Sequence, residues 1–429
     1  MERGNSIFRH VCAGVMIATT TICYSAEEKL IILDEGMWQA DNGRLSYFAD
    51  GDMVSNQWFR DVNGYKLGDT PNDIIAVNDG LIAIAVNWSN VVQFITPEGK
   101  AVGAVESIPN VRCLASDGNY VYATSYAHEC DTSFGLVEFE KGYVAKIDIR
   151  DFSVVGVCEV GYEPEGIALY NGTLFIANSG GYAFQEGHDY EQTVTLVETE
   201  SMEKTGEIDT GCINLYGDLS QSGRYLCINS TGDYYETPGR CIIMDCKEAL
   251  KNPESCFVVL PYAATYNCAS GAGQFFAVGA GYSYLTGEYE FNCLTLNAQE
   301  ILESDGERGV TEGLPGDVAE RIMQFEAPYS IYRNPYTGKI YATDAGSYAG
   351  SGRIYQWSAD GQFTGSWPTY INPGKMLALR PDSDQSRIET IEEASDIGLP
   401  KQIYDLLGRK VSIPIEGEMY IVDGKKVIY

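Results

Sequence analysis

The chain is patterned as short apolar runs separated by tight polar turns. In residues 161–180, GYEPEGIALYNGTLFIANSG, a turn at Pro164 leads into an apolar run, Asn171-Gly172 reverses the chain, and a second apolar run ends at a polar loop. An Asn-Gly dipeptide between two such runs is a strong signal for a β-hairpin. The pattern therefore predicts a hairpin followed by a loop.

The same unit recurs along the chain. Residues 69–87, 108–126 and 327–346 also follow the order of turn, strand, tight turn, strand and polar loop. A hairpin of this kind cannot bury its apolar face alone, so the repetition predicts an array of stacked sheets.

Seven units can be counted from their first strands, each of which follows a turn that often contains proline. These predicted innermost strands begin near Ile74, Arg112, Gly166, Leu215, Tyr266, Tyr329 and Lys375. The first interval holds four strands, IIAVN, LIAIAVN, VVQFIT and AVGAVE. Four-stranded sheets arranged radially form a propeller, in which only short strand edges are exposed. The predicted fold class is all-β, a seven-bladed β-propeller.

The two ends of the repeat region complement each other. Residues 371–381 supply one strand and then stop, whereas residues 30–36 and 43–49 are strands with no inner strand before them. We expect these N- and C-terminal strands to close one blade, which places the propeller in residues 27–381. The alternative is two separate β domains, but no linker interrupts residues 30–380.

The N-terminal segment has the pattern of a secretory signal peptide. Arg3 and Arg9 precede an apolar run from Val11 to Ile22, which is too short for a membrane span of about 20 residues. We exclude residues 1–26 from the fold and expect an exported protein. Lipidation of Cys23 is an alternative to plain cleavage, although Ile22 occupies a position where a small residue is wanted.

The C-terminal segment, residues 382–429, reads as a polar linker followed by a short β-like tail. Its runs YDLLGRKV and MYIVDGKKVIY resemble the C-terminal sorting tails of exported proteins in Bacteroidota. This resemblance covers about 30 residues and implies delivery to the cell surface or beyond.

The net charge of the chain narrows the classes of possible partner. The formal net charge is −31, which repels nucleic acid backbones and anionic lipid surfaces, so neither is an expected partner.

Ten of the 12 cysteines lie beyond residue 26. Cross-strand disulfides between Cys227 and Cys241 and between Cys268 and Cys293 are one interpretation, and free buried thiols are the other. No CxxC spacing supports a structural zinc site.

Aromatic side chains recur in the loops between the second and third strands of the predicted blades. In a propeller these loops open on one face, and aromatic residues there provide contact area for a ligand at a small cost in entropy. The alternative is that they pack the long loops together. The candidate ligand-binding aromatic residues are Trp38, Trp88, Tyr126, Tyr182, Tyr190, Tyr234, Tyr235, Tyr282, Tyr284 and Tyr348.

Polar residues in the same region complete the candidate site. Asn87, Asn178, Asn229 and Asp344 end second strands and are expected to hydrogen-bond the ligand. His128 and His188 lie in the loops near Glu129, Asp131, Glu186 and Asp189, where they are candidates for ligand contacts, a general base or a metal ligand. The alternative is that both histidines are solvated or hydrogen-bonded within the protein.

Motifs of catalysis and metal binding are missing from the sequence. We find no GxSxG elbow, HExxH pair, phosphate-binding glycine loop or complete EF-hand loop. The residues that begin at Asp218 resemble a calcium loop only weakly and fit an ordinary turn better. The sequence therefore predicts a protein that is not an enzyme, has no cofactor or bound metal, and forms no oligomer.

Residues 33–75 carry a more specific resemblance. Glu35-Gly36, Asn42-Gly43, Leu45-Ser46, Asn63-Gly64 and residues 67–71 (LGDTP) match a pattern of exported YVTN-type seven-bladed propellers of Bacteroidota, with Asp34 in place of the usual Asn. The resemblance covers about residues 30–380. It implies a surface protein associated with a TonB-dependent outer-membrane transporter, and the BtuG branch of this family captures cobalamin.

Ligand capture is consistent with this resemblance. A corrin ring would use the aromatic faces for contact area and the Asn and Asp side chains for its peripheral amides. Two rival interpretations remain: a binder of a glycan, peptide or haem-like compound, and a protein-interaction or adhesion module with no small ligand.

Overall fold

The structure, a computed structural model, describes residues 28–128, 139–183 and 187–381 and four short strands of the C-terminal segment. The chain divides into two compact units between Pro381 and Asp382. The predicted signal peptide and Cys23 lie outside the described residues. Among the helices of the described part, none is long and apolar enough to cross a bilayer.

The first unit is built from seven four-stranded antiparallel sheets, the blades, so the predicted fold is confirmed. The chain opens with β1 (Lys29–Asp34), β2 (Arg44–Ala49), β3 (Asp52–Ser55) and helix α1 (Trp58–Asn63). Blade 1 consists of β4 (Pro71–Asn78), β5 (Leu81–Val86), β6 (Val91–Ile95) and β7 (Ala101–Glu106). Blade 2 consists of β8 (Val111–Ser116), β9 (Tyr120–Ser125), β10 (Tyr143–Asp148) and β11 (Ser153–Glu159). Blade 3 consists of β12 (Pro164–Tyr170), β13 (Thr173–Asn178), β14 (Thr193–Glu198) and β15 (Glu203–Asp209).

The second half of the ring carries the remaining helices. Blade 4 consists of β16 (Leu219–Ser222), β17 (Tyr225–Ser230), β18 (Arg240–Asp245) and β19 (Phe257–Leu260), with α2 (Cys246–Ala249) and a 3-10 turn (Pro253–Ser255) before β19. Blade 5 consists of β20 (Tyr266–Gly271), β21 (Gln274–Ser283), β22 (Glu288–Asn297) and β23 (Val310–Glu312), with α3 (Ala298–Glu303) before β23 and α4 (Val318–Ile322) after it. Blade 6 consists of β24 (Pro328–Arg333), β25 (Ile340–Asp344), β26 (Arg353–Trp357) and β27 (Phe363–Pro368).

The last blade, blade 7, joins the two ends of the ring. Its inner strand, β28 (Pro373–Ala378), pairs with β1, and the sheet continues through β2 and β3. Each inner strand contacts the inner strand of the next blade, and β28 contacts β4. The predicted closure of one blade by the N- and C-terminal strands is therefore confirmed.

The predicted turns and strand starts follow from local sequence. Asn171 and Gly172 both adopt positive φ, 48° and 78°, which is the geometry of a two-residue type I′ hairpin turn. The exception is blade 4, where the inner strand begins at Leu219 and not near Leu215. The residues between them form a loop instead, because the Tyr216 amide turns back to the Asn214 carbonyl and the Asp218 amide bonds the Thr265 carbonyl.

The hydrophobic core is divided into seven clusters, and each lies between two neighbouring blades. Second strands are buried along nearly their whole length, as in β5 (LIAIAV), because adjacent blades cover both faces. Outer strands such as β11 are mostly exposed. Blade-to-blade packing therefore holds the ring together, and it is continuous across the closure.

A buried carboxylate reinforces the closure. Glu28, just before β1, accepts hydrogen bonds from Asn334 Nδ2 (2.7 Å), Thr337 Oγ1 (3.1 Å) and Tyr341 OH (2.9 Å) of blade 6, and it pairs with Lys339. We call these contacts the N-terminal clasp.

The nine cysteines of the described residues are free, so both proposed disulfides are wrong and the alternative of free thiols holds for them. The Sγ atoms of Cys227 and Cys241 lie 3.6 Å apart, because the two residues are diagonal and not opposite in the β17–β18 register. Cys268 and Cys293 lie on β20 and β22, which are separated by β21.

The second unit contains a small sheet of its own. It consists of β29 (Ile403–Tyr404), β30 (Lys410–Val411), β31 (Met419–Val422) and β32 (Lys425–Ile428), in the order β30–β29–β31–β32.

Candidate functional site

The aromatic residues singled out from the sequence lie at one end of the ring. Because the strands of each blade are antiparallel, the loops between second and third strands lie at the end where the chain enters each inner strand. Ten aromatic residues occupy this end, and we call them the aromatic face: Trp38, Trp88, Tyr126, Tyr182, Tyr190, Tyr234, Tyr235, Tyr282, Tyr284 and Tyr348. Tyr126 is the one of these that is buried, and its hydroxyl donates to Glu165 beneath the face.

The residues of the aromatic face form groups that bridge neighbouring blades. Trp38 of blade 7 and Trp88 of blade 1 meet edge to face with their ring centroids 5.0 Å apart. Tyr348 instead packs within its own blade 6, where its ring lies 5.9 Å from the ring of Tyr329 on β24. Trp38 and Tyr348 are 46% and 44% exposed, which is unusual for large aromatic side chains in a folded protein.

The most exposed group lies on blades 4 and 5. Tyr235 stacks on Tyr284 at 5.3 Å, Tyr282 packs edge to face against Tyr284 at 5.0 Å, and the Tyr284 amide bonds the Tyr234 carbonyl. Tyr235 and Tyr284 are 58% and 61% exposed, and Tyr284 lies in the turn between β21 and β22, which are each ten residues long. Tyr190 of blade 3 lies at its edge, where burial raises the pKa of its hydroxyl.

The two histidines beyond residue 26 converge on one carboxylate that the sequence reading did not identify. Glu163 is fully buried, its Oε2 lies 2.7 Å from His188 Nε2, and its Oε1 lies 3.8 Å from His128 Nε2. The ring of Phe139 stacks on His188 at 3.9 Å, and Tyr182 lies 5.5 Å from the His128 ring. Of the four nearby carboxylates in sequence, Glu129, Asp131 and Glu186 lie outside the described residues, and Asp189 is exposed.

Glu163 occupies a position that recurs around the ring. Thr70, Asn110, Glu163 and Asn372 each precede an inner strand, adopt positive φ, and accept a backbone hydrogen bond from the residue just after a second strand. Only blade 3 among these four places a carboxylate there. The group joins the loops of blades 2 and 3, and within the described residues no three potential ligands are arranged to hold a metal ion.

The four polar residues expected to contact a ligand are engaged with the protein itself. Asn87 Nδ2 donates to the Val111 carbonyl (3.0 Å), and Asn178 bonds the Gly161 amide and the hydroxyls of Thr193 and Thr195. Asn229 and Asp344 likewise bond backbone groups of the loops that lead into inner strands. Asn229 contacts Tyr216 O before β16 and Ala264 N before β20, and Asp344 contacts Glu326 N and Ala327 N before β24. These side chains therefore fix the loops that enter the inner strands, and Asn178 also ties the two ends of the loop that carries Tyr182 and Tyr190.

A central cavity of about 440 Å³ lies among the inner strands, and its charged lining was missed by the sequence reading. Arg112 Nε lies 3.1 Å from both carboxylate oxygens of Glu165, which also accepts a hydrogen bond from Tyr126 OH. Across the cavity Lys375 pairs with Asp218.

Two further carboxylates line the central cavity. Glu35 Oε2 accepts from Tyr329 OH (2.7 Å), and burial raises the pKa of Glu35 to about 7. Asp73 accepts from the amides of Ile74 (2.9 Å) and Leu114 (2.8 Å), and burial raises its pKa as well. A signal for this site was present in the sequence, since Asp73, Arg112, Glu165 and Lys375 interrupt the predicted inner strands with charge.

Comparison with known proteins supports the fold. No family model matches this chain, and no curated protein sequence matches it. A functionally unknown protein from Desulfotomaculum acetoxidans is 12% identical with a TM-score of 0.52, over 83% of this chain and 99% of that one. Hydrazine synthase of Kuenenia stuttgartiensis is 13% identical with a TM-score of 0.51, over 73% of this chain and 96% of that one. One of these two structures is that of an enzyme and the other is of a functionally unknown protein. The likeness therefore shows a shared propeller fold and does not indicate a function for this chain.

Proposed function

We propose that the protein captures a large, partly flat ligand on its aromatic face and releases it unaltered. The ligand class that fits best is a corrinoid such as cobalamin, which the protein would pass to a TonB-dependent outer-membrane transporter at the cell surface. The observation that carries this proposal is the placement of the ten aromatic side chains at one end of the ring, four of them more than 40% exposed.

The exposed tyrosines suit a corrinoid for two reasons. Their rings offer flat apolar area that a rigid macrocycle can cover, and their hydroxyls can bond its peripheral amides. Asn87, Asn178, Asn229 and Asp344 contribute indirectly, because their hydrogen bonds hold the loops in place before any ligand arrives. A site organised in advance loses less entropy when it binds.

The same arrangement favours a binding protein over an enzyme. The carboxylate of Glu163 faces both histidines inside the protein, where its full burial keeps it from reaching a substrate on the face. No activated nucleophile accompanies the histidines in the described residues.

Isothermal titration with cyanocobalamin tests the proposal. We expect heat of binding with the native protein and a loss of about tenfold or more in affinity for the Tyr234→Ala/Tyr235→Ala variant, because central aromatic contacts are each worth more than about 1 kcal/mol. The matched control is Tyr336→Ala. Tyr336 is 45% exposed, but it lies in the turn between β24 and β25 at the opposite end of the ring. Absence of heat, or equal weakening by the control, would overturn the proposal.

A protein-interaction function is the second candidate, and the hairpin of blade 5 favours it. Leu285 at its tip is 66% exposed beside Tyr284, an apolar projection typical of surfaces that contact another protein. Native mass spectrometry of the purified protein separates the candidates. A retained corrinoid supports ligand capture on the aromatic face. A retained glycan, peptide or haem-like compound would mean that the captured ligand is that compound and not a corrinoid. Binding only to another protein favours the protein-interaction function.

A further inference from the structure

The central cavity has a chemistry of its own that capture on the aromatic face does not use. Its volume of about 440 Å³ falls within the range of small-molecule sites, about 300–1,000 Å³. Its lining combines charged groups with the rings of Tyr216, Tyr266 and Tyr329.

Both cations of the cavity are already paired. The Arg112 guanidinium contacts Glu165 through Nε at 3.1 Å, and the Lys375 ammonium contacts Asp218, whose second oxygen accepts from the Asn267 amide at 3.1 Å. An anionic ligand would have to break one of these pairs and leave a carboxylate without its partner, which is costly in a buried site.

Two carboxylates of the cavity form no direct ion pair with a cation of the described residues. Glu35 accepts a hydrogen bond from the Tyr329 hydroxyl and Asp73 accepts from two backbone amides, while the charge of Lys375 acts on both from a longer distance. Four carboxylates thus face two cations, and the surplus of negative charge attracts a positive ligand.

The tyrosine rings determine the kind of cation. The rings of Tyr266 and Tyr329 lie 5.9 Å apart at an angle of 41°, beside Glu35 and Asp218. Aromatic faces attract organic ammonium groups, whereas a metal ion needs a close shell of oxygen or nitrogen ligands. Within the described residues no such metal-binding group is present.

We propose that the central cavity is a binding site for a small organic cation, a primary or quaternary ammonium compound. Glu35 and Asp73 neutralise its charge, while Tyr266 and Tyr329 pack against its alkyl groups. None of the residues that line the cavity belongs to the aromatic face, although Tyr126 and Tyr348 of that face contact Glu165 and Tyr329 of the lining.

The charge balance makes binding sensitive to pH. Glu35 faces Tyr329, Arg112, Lys375 and Asp218, and burial outweighs the two cations to raise its pKa to about 7. A bound cation favours the ionised form of Glu35. The affinity for the cation should therefore rise by about tenfold between pH 6 and pH 8, as the ionised fraction of Glu35 grows.

Choline is the probe, and binding is followed by titration calorimetry and ligand-observed NMR in the absence of any corrinoid. We expect saturable binding with a Kd between about 10 µM and 1 mM. The neutral isostere 3,3-dimethyl-1-butanol is expected to bind at least about tenfold more weakly, since it lacks the charge that the carboxylates attract. Glu35→Gln keeps the acceptor for Tyr329 and should weaken choline binding by about tenfold and flatten the pH dependence.

Glu98→Gln is the matched control, because Glu98 lies exposed in the turn between β6 and β7. The pH series and the isostere both use the native protein, so they test the proposal even if Glu35→Gln fails to fold. No choline binding up to about 10 mM, equal binding of the isostere, or equal weakening by Glu98→Gln would overturn it. A failure here leaves cyanocobalamin capture untouched, since that titration reports on the aromatic face.

Discussion

Replacing Glu28 by alanine removes the carboxylate of the N-terminal clasp and tests whether this contact stabilises the closed ring. The side chain is only 9% exposed and serves three neutral donors besides the Lys339 ammonium. All four partners belong to blade 6, more than 300 residues further along the chain. The substitution therefore acts on the contact between the two ends of the propeller.

The magnitude follows from the groups left without a partner. Deleting one member of a buried ion pair costs about 3–5 kcal/mol, and a single bond to a charged acceptor contributes about 1.5–3 kcal/mol. Lys339 is 36% exposed and recovers part of its hydration in the variant, so the lower end of the range for a broken buried ion pair applies. We expect Glu28→Ala to lower the free energy of unfolding by about 3 kcal/mol, and Glu28→Gln to lower it by less, since the amide keeps one acceptor.

Urea unfolding followed by intrinsic fluorescence measures this difference at neutral pH. Glu98→Ala, which changes an exposed carboxylate in a turn, provides the control and should stay within about 0.5 kcal/mol of the native value. If Glu28→Ala were as stable as this control, the clasp would contribute nothing to closure and the reasoning would be refuted.

The remaining predictions concern buried ionisable groups. Burial raises the pKa of Asp34 from its ordinary value near 3.8 to about 7, so the folded state binds a proton more tightly than the unfolded state and stability should fall as pH rises from about 4 to 7. Asp34→Asn should reduce this slope in urea unfolding measured across that range, and an unchanged slope would contradict the assignment. Burial also raises the pKa of the Cys256 and Cys293 thiols to about 11, so iodoacetamide should modify them only after unfolding. Peptide mass spectrometry should find both cysteines unmodified in the native protein and modified in urea, and rapid labelling of either one in the native protein would argue against the packing described.

The features that depend on residues adjacent in sequence could be predicted from the sequence. The type I′ turn at Asn171-Gly172 needs only two residues that tolerate positive φ, and the start of β5 at Leu81 needs only a polar turn followed by the apolar run LIAIAV. The blade repeat then gives the fold, because alternate loops of antiparallel strands must lie at the same end of the ring. The shared location of Trp38 and Tyr348 follows from this topology alone.

Contacts between distant residues could not be predicted. Glu35 and Tyr329 are 294 positions apart, and nothing in either segment indicates that the other lies opposite. Glu163 could not be predicted as the partner of His128 and His188. Carboxylates that lie nearer to the histidines in sequence are the natural candidates, whereas the fold brings Glu163 in from another loop. The cysteine pairs failed for a related reason: proximity along the chain did not reveal the exact register of β17 and β18.

The pairing of β1 with β28 has a consequence for how the molecule is made. Until residue 378 has been synthesised, one edge of β1 lacks its hydrogen-bonding neighbour, and the core between blades 6 and 7 lacks Met376 and Ala378. A nascent chain therefore exposes an unpaired strand edge for almost the entire time of its synthesis. Any truncation ahead of Pro373 leaves that edge unpaired, so the intact ring depends on the last strand of the propeller.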